Sequence, residues 1–167
     1  SVYNQLTSSV ISDNQSICFN TSPDTLNIIQ LSSGGGILNN NSYEWQESSD
    51  GLTWQNYSSG IQFTPTNLNS DKIYRVQTIS DFNCGPVYSN EITIIVFDDL
   101  LPGQIINSDN ICYNTVPDPL FFNIPPTGAD GNYTLNWQLS LNNNLGSWDS
   151  IPFTDSLSFQ PSTLETT

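Results

Sequence analysis

The sequence contains no histidine, no methionine and only two basic side chains, Lys72 and Arg75. Without histidine the commonest general base and the commonest metal ligand are both missing. Against the two cations stand 16 carboxylates, a formal net charge of −14. Such a surface repels phosphate backbones and anionic lipid, which argues against nucleic-acid binding and membrane-surface binding. No apolar run approaches the roughly 18 to 20 residues of a membrane span, so membrane insertion is not expected. The start has neither a basic segment nor a cleavage site, so it does not read as a precursor N-terminus.

What is present is polar but foldable. Hydrophobic residues make up 36% of the 167 positions and aromatics 11%, enough for a packed core. Ser, Asn and Thr dominate the polar positions, which points to an extracellular setting. All four tryptophans fall in two copies of one pattern, "YEWQESSDGLTWQ" (43–55) and "LNWQLSLNNNLGSW" (135–148). Other landmarks repeat in the same order. "DNQSICFNTSPDTL" (13–26) matches "DNICYNTVPDPL" (109–120), and "IQFTPTNL" (61–68) matches "LSFQPSTL" (157–164). Offsets of 92 to 96 residues define a tandem array with a period of about 94.

Within each unit the β-branched and aromatic runs are separated by Gly, Pro, Asn and Ser. Examples are Thr25–Leu31, Lys72–Ile79 and Glu91–Phe97. Asp50-Gly51 supplies a hairpin signal between two of them. Nothing carries a helical apolar stripe. The fold class expected is all-β: tandem Ig-like β-sandwich units, each of about seven short strands, the second incomplete at its C-terminus. Residues 1–7 read as the tail of a preceding unit or linker, 8–99 as unit one, and 100–167 as unit two without its last two strands. Trp45 and Trp137 are expected in the cores. Trp54 and Trp148, after the hairpins, are expected half-exposed over a sheet edge. At 142–146 "NNNLG" replaces "SDG", so the same tight hairpin is not expected there.

Three cysteines leave one odd. The repeat assigns Cys18 and Cys84 to unit one, where a disulfide between them would close a loop of roughly 66 residues. In the loop-entropy account that is worth on the order of 4 kcal/mol. Cys112 corresponds to Cys18 and is left unpaired. Three buried free thiols are the alternative.

The run of Ile17-Cys18, Asn20-Thr21, Pro23, Trp45-Gln46, Asp50-Gly51, Trp54, Tyr74-Arg75, Cys84-Gly85 and Ser89-Asn90 resembles the Ig-like/PKD-like repeats of large Bacteroidota cell-surface proteins. In particular it is similar to the SprB-type gliding-motility adhesins. The resemblance implies a fibre-like, secreted protein on the bacterial cell surface, with neighbouring repeats of the same chain as partners.

No catalytic residues are singled out. Ser48–Trp54 is similar to the Asp-box of sialidase-like propellers, but it is one residue short and the repeat period is about twice a blade. The chain therefore reads as a non-enzyme. No cofactor is expected; Ca²⁺ is the one candidate, at Asp98 and Asp99, set against a solvated linker. Trp54 and Trp148, with Tyr57 and Tyr88 beside them, are candidate contacts for a surface polysaccharide, set against aromatics that cover sheet edges. Thr25 in "DTL" and Ser156 in "DSL" fit a Bacteroidota O-glycosylation signal. The function expected is a structural repeat segment of a long extracellular adhesin or filament, spacing a distal binding region from the cell and linked to surface adhesion or gliding. A carbohydrate-binding module is the alternative, and a subunit accepting strands from another chain is a third reading.

Overall fold

A computed structural model describes residues 2–36, 40–82, 84–140, 147–152 and 156–165. The chain divides into two units, Ser1–Asp98 and Asp99–Thr167. Among the described residues every regular element is a strand. The fold is all-β, of sandwich type.

Unit one contains β1 (Val10–Ile11), β2 (Gln15–Ile17), β3 (Leu26–Gln30), β4 (Ser42–Ser48), β5 (Gln55–Ser59), β6 (Gln62–Phe63), β7 (Lys72–Ile79), β8 (Val87–Tyr88) and β9 (Ile92–Val96). Three of them form a sheet in the order β1-β3-β6. The others form a second sheet, β2-β9-β7-β4-β5, with β8 on β7. Strict alternation in β7 turns Tyr74, Val76 and Thr78 inward and leaves Ile73, Arg75 and Gln77 on the outer face. The core joins both sheets: Ile11 and Leu26 from one, Trp45, Tyr74, Val76, Ile92 and Ile94 from the other, with Leu68 between. Trp45 is fully buried, and its indole N–H donates to the Gly60 carbonyl at 3.1 Å, which satisfies its one polar atom. Residues 4–7 belong to this unit. Thr7 donates to the Ser33 carbonyl, Asn4 accepts from Gly35, and Leu6 is buried.

Unit two contains most of β10 (Asp98–Leu101), with β11 (Gln104–Ile106), β12 (Leu120–Ile124), β13 (Thr127–Ala129), β14 (Gln138–Leu139), β15 (Asp149–Ser150) and β16 (Ser158–Phe159). Its sheets run β11-β12-β16, β14-β15 and β10-β13.

The two units share one register. Ile11↔Ile28 in unit one becomes Ile105↔Phe122, Leu26↔Phe63 becomes Leu120↔Phe159, and Gln46↔Asn56 becomes Gln138↔Ser150. Even the irregularity at Val10/Ile11 recurs at Gln104/Ile105. The Thr21 hydroxyl donates to the Cys18 carbonyl at 2.7 Å, and Thr115 does the same to Cys112 at 2.6 Å. Asn20 and Asn114 both take positive φ, 56° and 59°, a conformation asparagine tolerates better than most residues. Trp137 donates to the Ser156 carbonyl as Trp45 does to Gly60.

One expectation is overturned. Cys18, Cys84 and Cys112 are free and exposed, so no Cys18–Cys84 bridge forms. The reason is topological. Cys18 follows Ile17, which pairs with Val96 near the Lys72 end of β7. Cys84 is tied to Ser80, just past the Ile79 end, by two backbone-linked hydrogen bonds. The strand between those ends puts them about 23 Å apart, whereas a disulfide requires Cα atoms within about 7 Å.

Candidate functional site

The most elaborate side-chain assembly lies on the outer face of the large sheet in unit one. Position 75 faces outward because 74 and 76 face the core, so a cation there costs no burial in the interior. The Arg75 guanidinium lies 3.9 Å from the Trp54 ring centroid and 4.1 Å from that of Tyr88. It is therefore sandwiched between two aromatic faces, each worth about 0.5–2 kcal/mol according to desolvation. Its Nε donates to Gln46 Oε1 at 2.9 Å. The Gln46 amide in turn donates to Asn56 and Gln77, both at 2.9 Å. Glu91 stands 3.9 Å from the guanidinium. The array holds β5, β4, β7, β8 and the loop before β5 in one network. It can bind nothing through the covered ring faces; its chemistry is cross-strand locking.

At one end of the same sheet, Lys72 pairs with Glu47 at 2.9 Å, and the Tyr74 hydroxyl donates to Glu47 at 2.8 Å. Burial, reinforced by the Glu47 carboxylate, pushes the Tyr74 hydroxyl well above the usual tyrosine range. The connection from β4 to β5 is a six-residue loop, longer than the tight turn expected at Asp50-Gly51. Asp50 accepts from the backbone N–H of Leu52 and Thr53 and from the hydroxyls of Ser48 and Thr53. Those donors, the Thr53 and Leu52 amides foremost, hold its carboxyl at about 2. Gly51 follows with φ 71°, which a Cβ would strain. The residues similar to an Asp-box thus form a self-contained loop lock.

The other residues singled out from sequence are dispersed. Trp54 is half-buried under Arg75. Tyr57 tilts against Phe63 at 5.1 Å, on the opposite face of β5 from Asn56. Trp54, Tyr57 and Tyr88 therefore present no common bare platform. Trp148 is different: it is 47% exposed and borders a cleft of about 510 Å³ in unit two. Asp98 and Asp99 are consecutive exposed residues of β10, and successive strand side chains point to opposite faces. They do not converge on a cation, and among the described residues no group of three or more potential ligands does. Thr25 is exposed and its hydroxyl meets Thr64 at 2.7 Å. Ser156 is exposed as well; Asp155, which precedes it, and the "NNNLG" stretch at 142–146 lie outside the described residues.

Arg75 itself was not found by reading the sequence. The available signal was that a chain with two cations places both on one strand, with glutamines at 46 and 77 able to flank the second.

The model of a family described as "Domain of unknown function (DUF8696)" matches residues 7–98, which is unit one nearly entire. No curated protein matches the chain.

Proposed function

The chain belongs to the DUF8696 family, and we propose that it is a load-bearing structural segment of a long extracellular adhesin or filament, where such units space a distal binding region from a bacterial surface. The observation that supports this best is the path of the chain through unit one. It comes in beside Ser33, where Thr7 is held, and beside Thr78 near the Ile79 end of β7, where Ser9 is held. It leaves beside Ile17 and Asp71, where Val96 and Phe97 are held. These are opposite poles of the sandwich, as a unit threaded into a linear array requires. β2, the second strand of the unit, and β9, its last, pair in parallel from Gln15↔Ile94 to Ile17↔Val96. Tension on the two ends pulls parallel neighbours in opposite directions. Their hydrogen bonds are then loaded in shear, all together, rather than opened one at a time.

The register shared by the two units fits a repeat protein whose members contact chiefly their neighbours. The resemblance to gliding-motility adhesins supplies the proposed setting. The surplus of carboxylates discourages lateral clumping of such fibres. A carbohydrate-binding role has less support, because Arg75 covers the best-placed ring faces in unit one.

An antibody raised against residues 7–98 tests the setting. On this reading it decorates filaments on intact source cells. Labelling that requires lysis of the cells contradicts it.

A further inference from the structure

We propose that the outer face of the smaller, three-stranded sheet is a self-association surface, at which a second copy of the chain docks sheet face to sheet face. The inference deepens the load-bearing reading and takes from it the setting of many copies side by side. In unit one the strands β1, β3 and β6 carry no charged side chain, and neither do the stretches 1–12, 25–43 and 51–70 in which they lie. Glu44, Glu47, Lys72 and Arg75 lie on the larger sheet, and the remaining carboxylates of the unit on connections or in β10. β11, β12 and β16, the three-stranded sheet of unit two, are likewise free of charge. A chain of net charge −14 thus leaves one sheet of each unit neutral.

The neutral faces also bear exposed apolar side chains. In unit one Leu26 and Ile28 turn toward the core, so Ile29 points outward and Leu31 follows in the same alternation. They are 65% and 54% exposed. The amides of Asn27 and Gln62, which pair with one another across β3 and β6, share that outer face. With β7, β8 and β9 all in place in the larger sheet, the outer face of the smaller one is still bare. In unit two Phe122 and Phe159 turn inward to ring contacts with Trp137 at 5.7 and 5.6 Å. Phe121 therefore points outward, and Ile106 pairs with it. These two are 42% and 38% exposed.

Charge decides the occupant. Two copies repel each other wherever carboxylates line the approach, and the repulsion is weakest where both present a neutral sheet. A cationic partner would be drawn to the charged sides instead. A sugar would want ring faces, and in unit one the aromatic of this sheet, Phe63, turns inward against Trp45 and Tyr74. A second copy fits, because identical faces can meet across a two-fold axis and aliphatic side chains pack well between sheets about 10 Å apart. The carboxylates do not forbid contact between copies; they select the face by which contact is made. One face of three short strands covers only roughly 250 Å², well under the roughly 800 Å² per partner of a stable complex. The pairing is therefore weak for a single chain and gains strength where many copies lie side by side.

Sedimentation equilibrium of the intact chain, in sodium chloride with a chelator, reads the pairing. A monomer–dimer equilibrium appears at chain concentrations on the order of 1 mM. It tightens severalfold from about 20 to about 500 mM salt, as screening relieves the repulsion. Ile29→Asp combined with Phe121→Asp weakens it at least roughly tenfold, while circular dichroism and melting temperature stay as they were, because both side chains are exposed. Ile95→Asp, at a comparably exposed site on the larger sheet, leaves the pairing unchanged. Beads coated densely with the chain clump in the same salt, and beads coated with the double variant stay dispersed. The sedimentation readout needs no tension. Pairing in a chain that yields at low force would sink the load-bearing reading alone, and a monomer that yields at high force would sink this proposal alone. Four results overturn it: a monomer at every concentration and salt, association that requires calcium, association broken by Ile95→Asp and not by the double variant, or beads that clump only when an added polysaccharide bridges them.

Discussion

Arg75 shows how a single outward-facing side chain can tie one sheet together. Its replacement by alanine removes two ring contacts and orphans the Gln46 carbonyl. We expect unit one to lose about 1–2 kcal/mol by denaturant unfolding, with Arg75→Lys recovering little, because an ammonium cannot lie flat between two rings. Asp50 makes a pH-dependent prediction. Its folded carboxyl sits at about 2, below the ordinary 3.8. A depressed acid stabilises the folded state above the unfolded pKa and loses that contribution as pH falls through the folded one. Unit one should therefore weaken between about pH 4 and pH 2. Asp50→Asn, which keeps an acceptor for the Leu52 and Thr53 amides, should flatten that part of the stability profile. The three thiols make a third: a thiol-reactive dye should label Cys18, Cys84 and Cys112 in the folded, unreduced chain, whereas a bridge between the first two would leave only Cys112 reactive.

At the scale of elements, much was legible because strand periodicity is a local property. Lys72–Ile79 coincides with β7 at both ends, and Thr25–Leu31 and Glu91–Phe97 enclose β3 and β9. Trp45 was legible as core because it sits among inward-facing positions of a strand. What failed depended on tertiary arrangement. The repeat placed Cys18 and Cys84 in the same unit but carried no information on which pole each occupies; that follows only from the parallel pairing of β2 with β9 and the antiparallel pairing of β9 with β7. The β4–β5 loop also escaped, because Asp50-Gly51 signals a turn without fixing where the ladder resumes, and the side chain of Asp50 defers it to Gln55. The Trp54–Arg75–Tyr88 stack joins residues from three parts of the sequence, beyond the reach of any local pattern. Trp45 gives this scale its prediction. Trp45→Ala empties the junction between the sheets and should destabilise unit one by about 3–5 kcal/mol, seen as an earlier calorimetric transition for that unit.

For the whole molecule, duplication governs the reading. The two units, Ser1–Asp98 and Asp99–Thr167, adopt the same strand pairings where both are described, with the same bulge, the same Cys–Thr turn and the same tryptophan hydrogen bond. A blueprint that repeats at this level of detail suits a protein whose role is length and strength. Such a role rests on how unit one bears load. Pulling the chain by its two ends in a single-molecule force experiment tests this most directly. The parallel β2–β9 pair should make unit one yield in a single high-force event. Ile17→Pro, which removes a donor facing β9, should lower that force by at least half while the unit remains folded at rest. Yielding at low force in the unsubstituted chain, or a force indifferent to Ile17→Pro, would contradict the account.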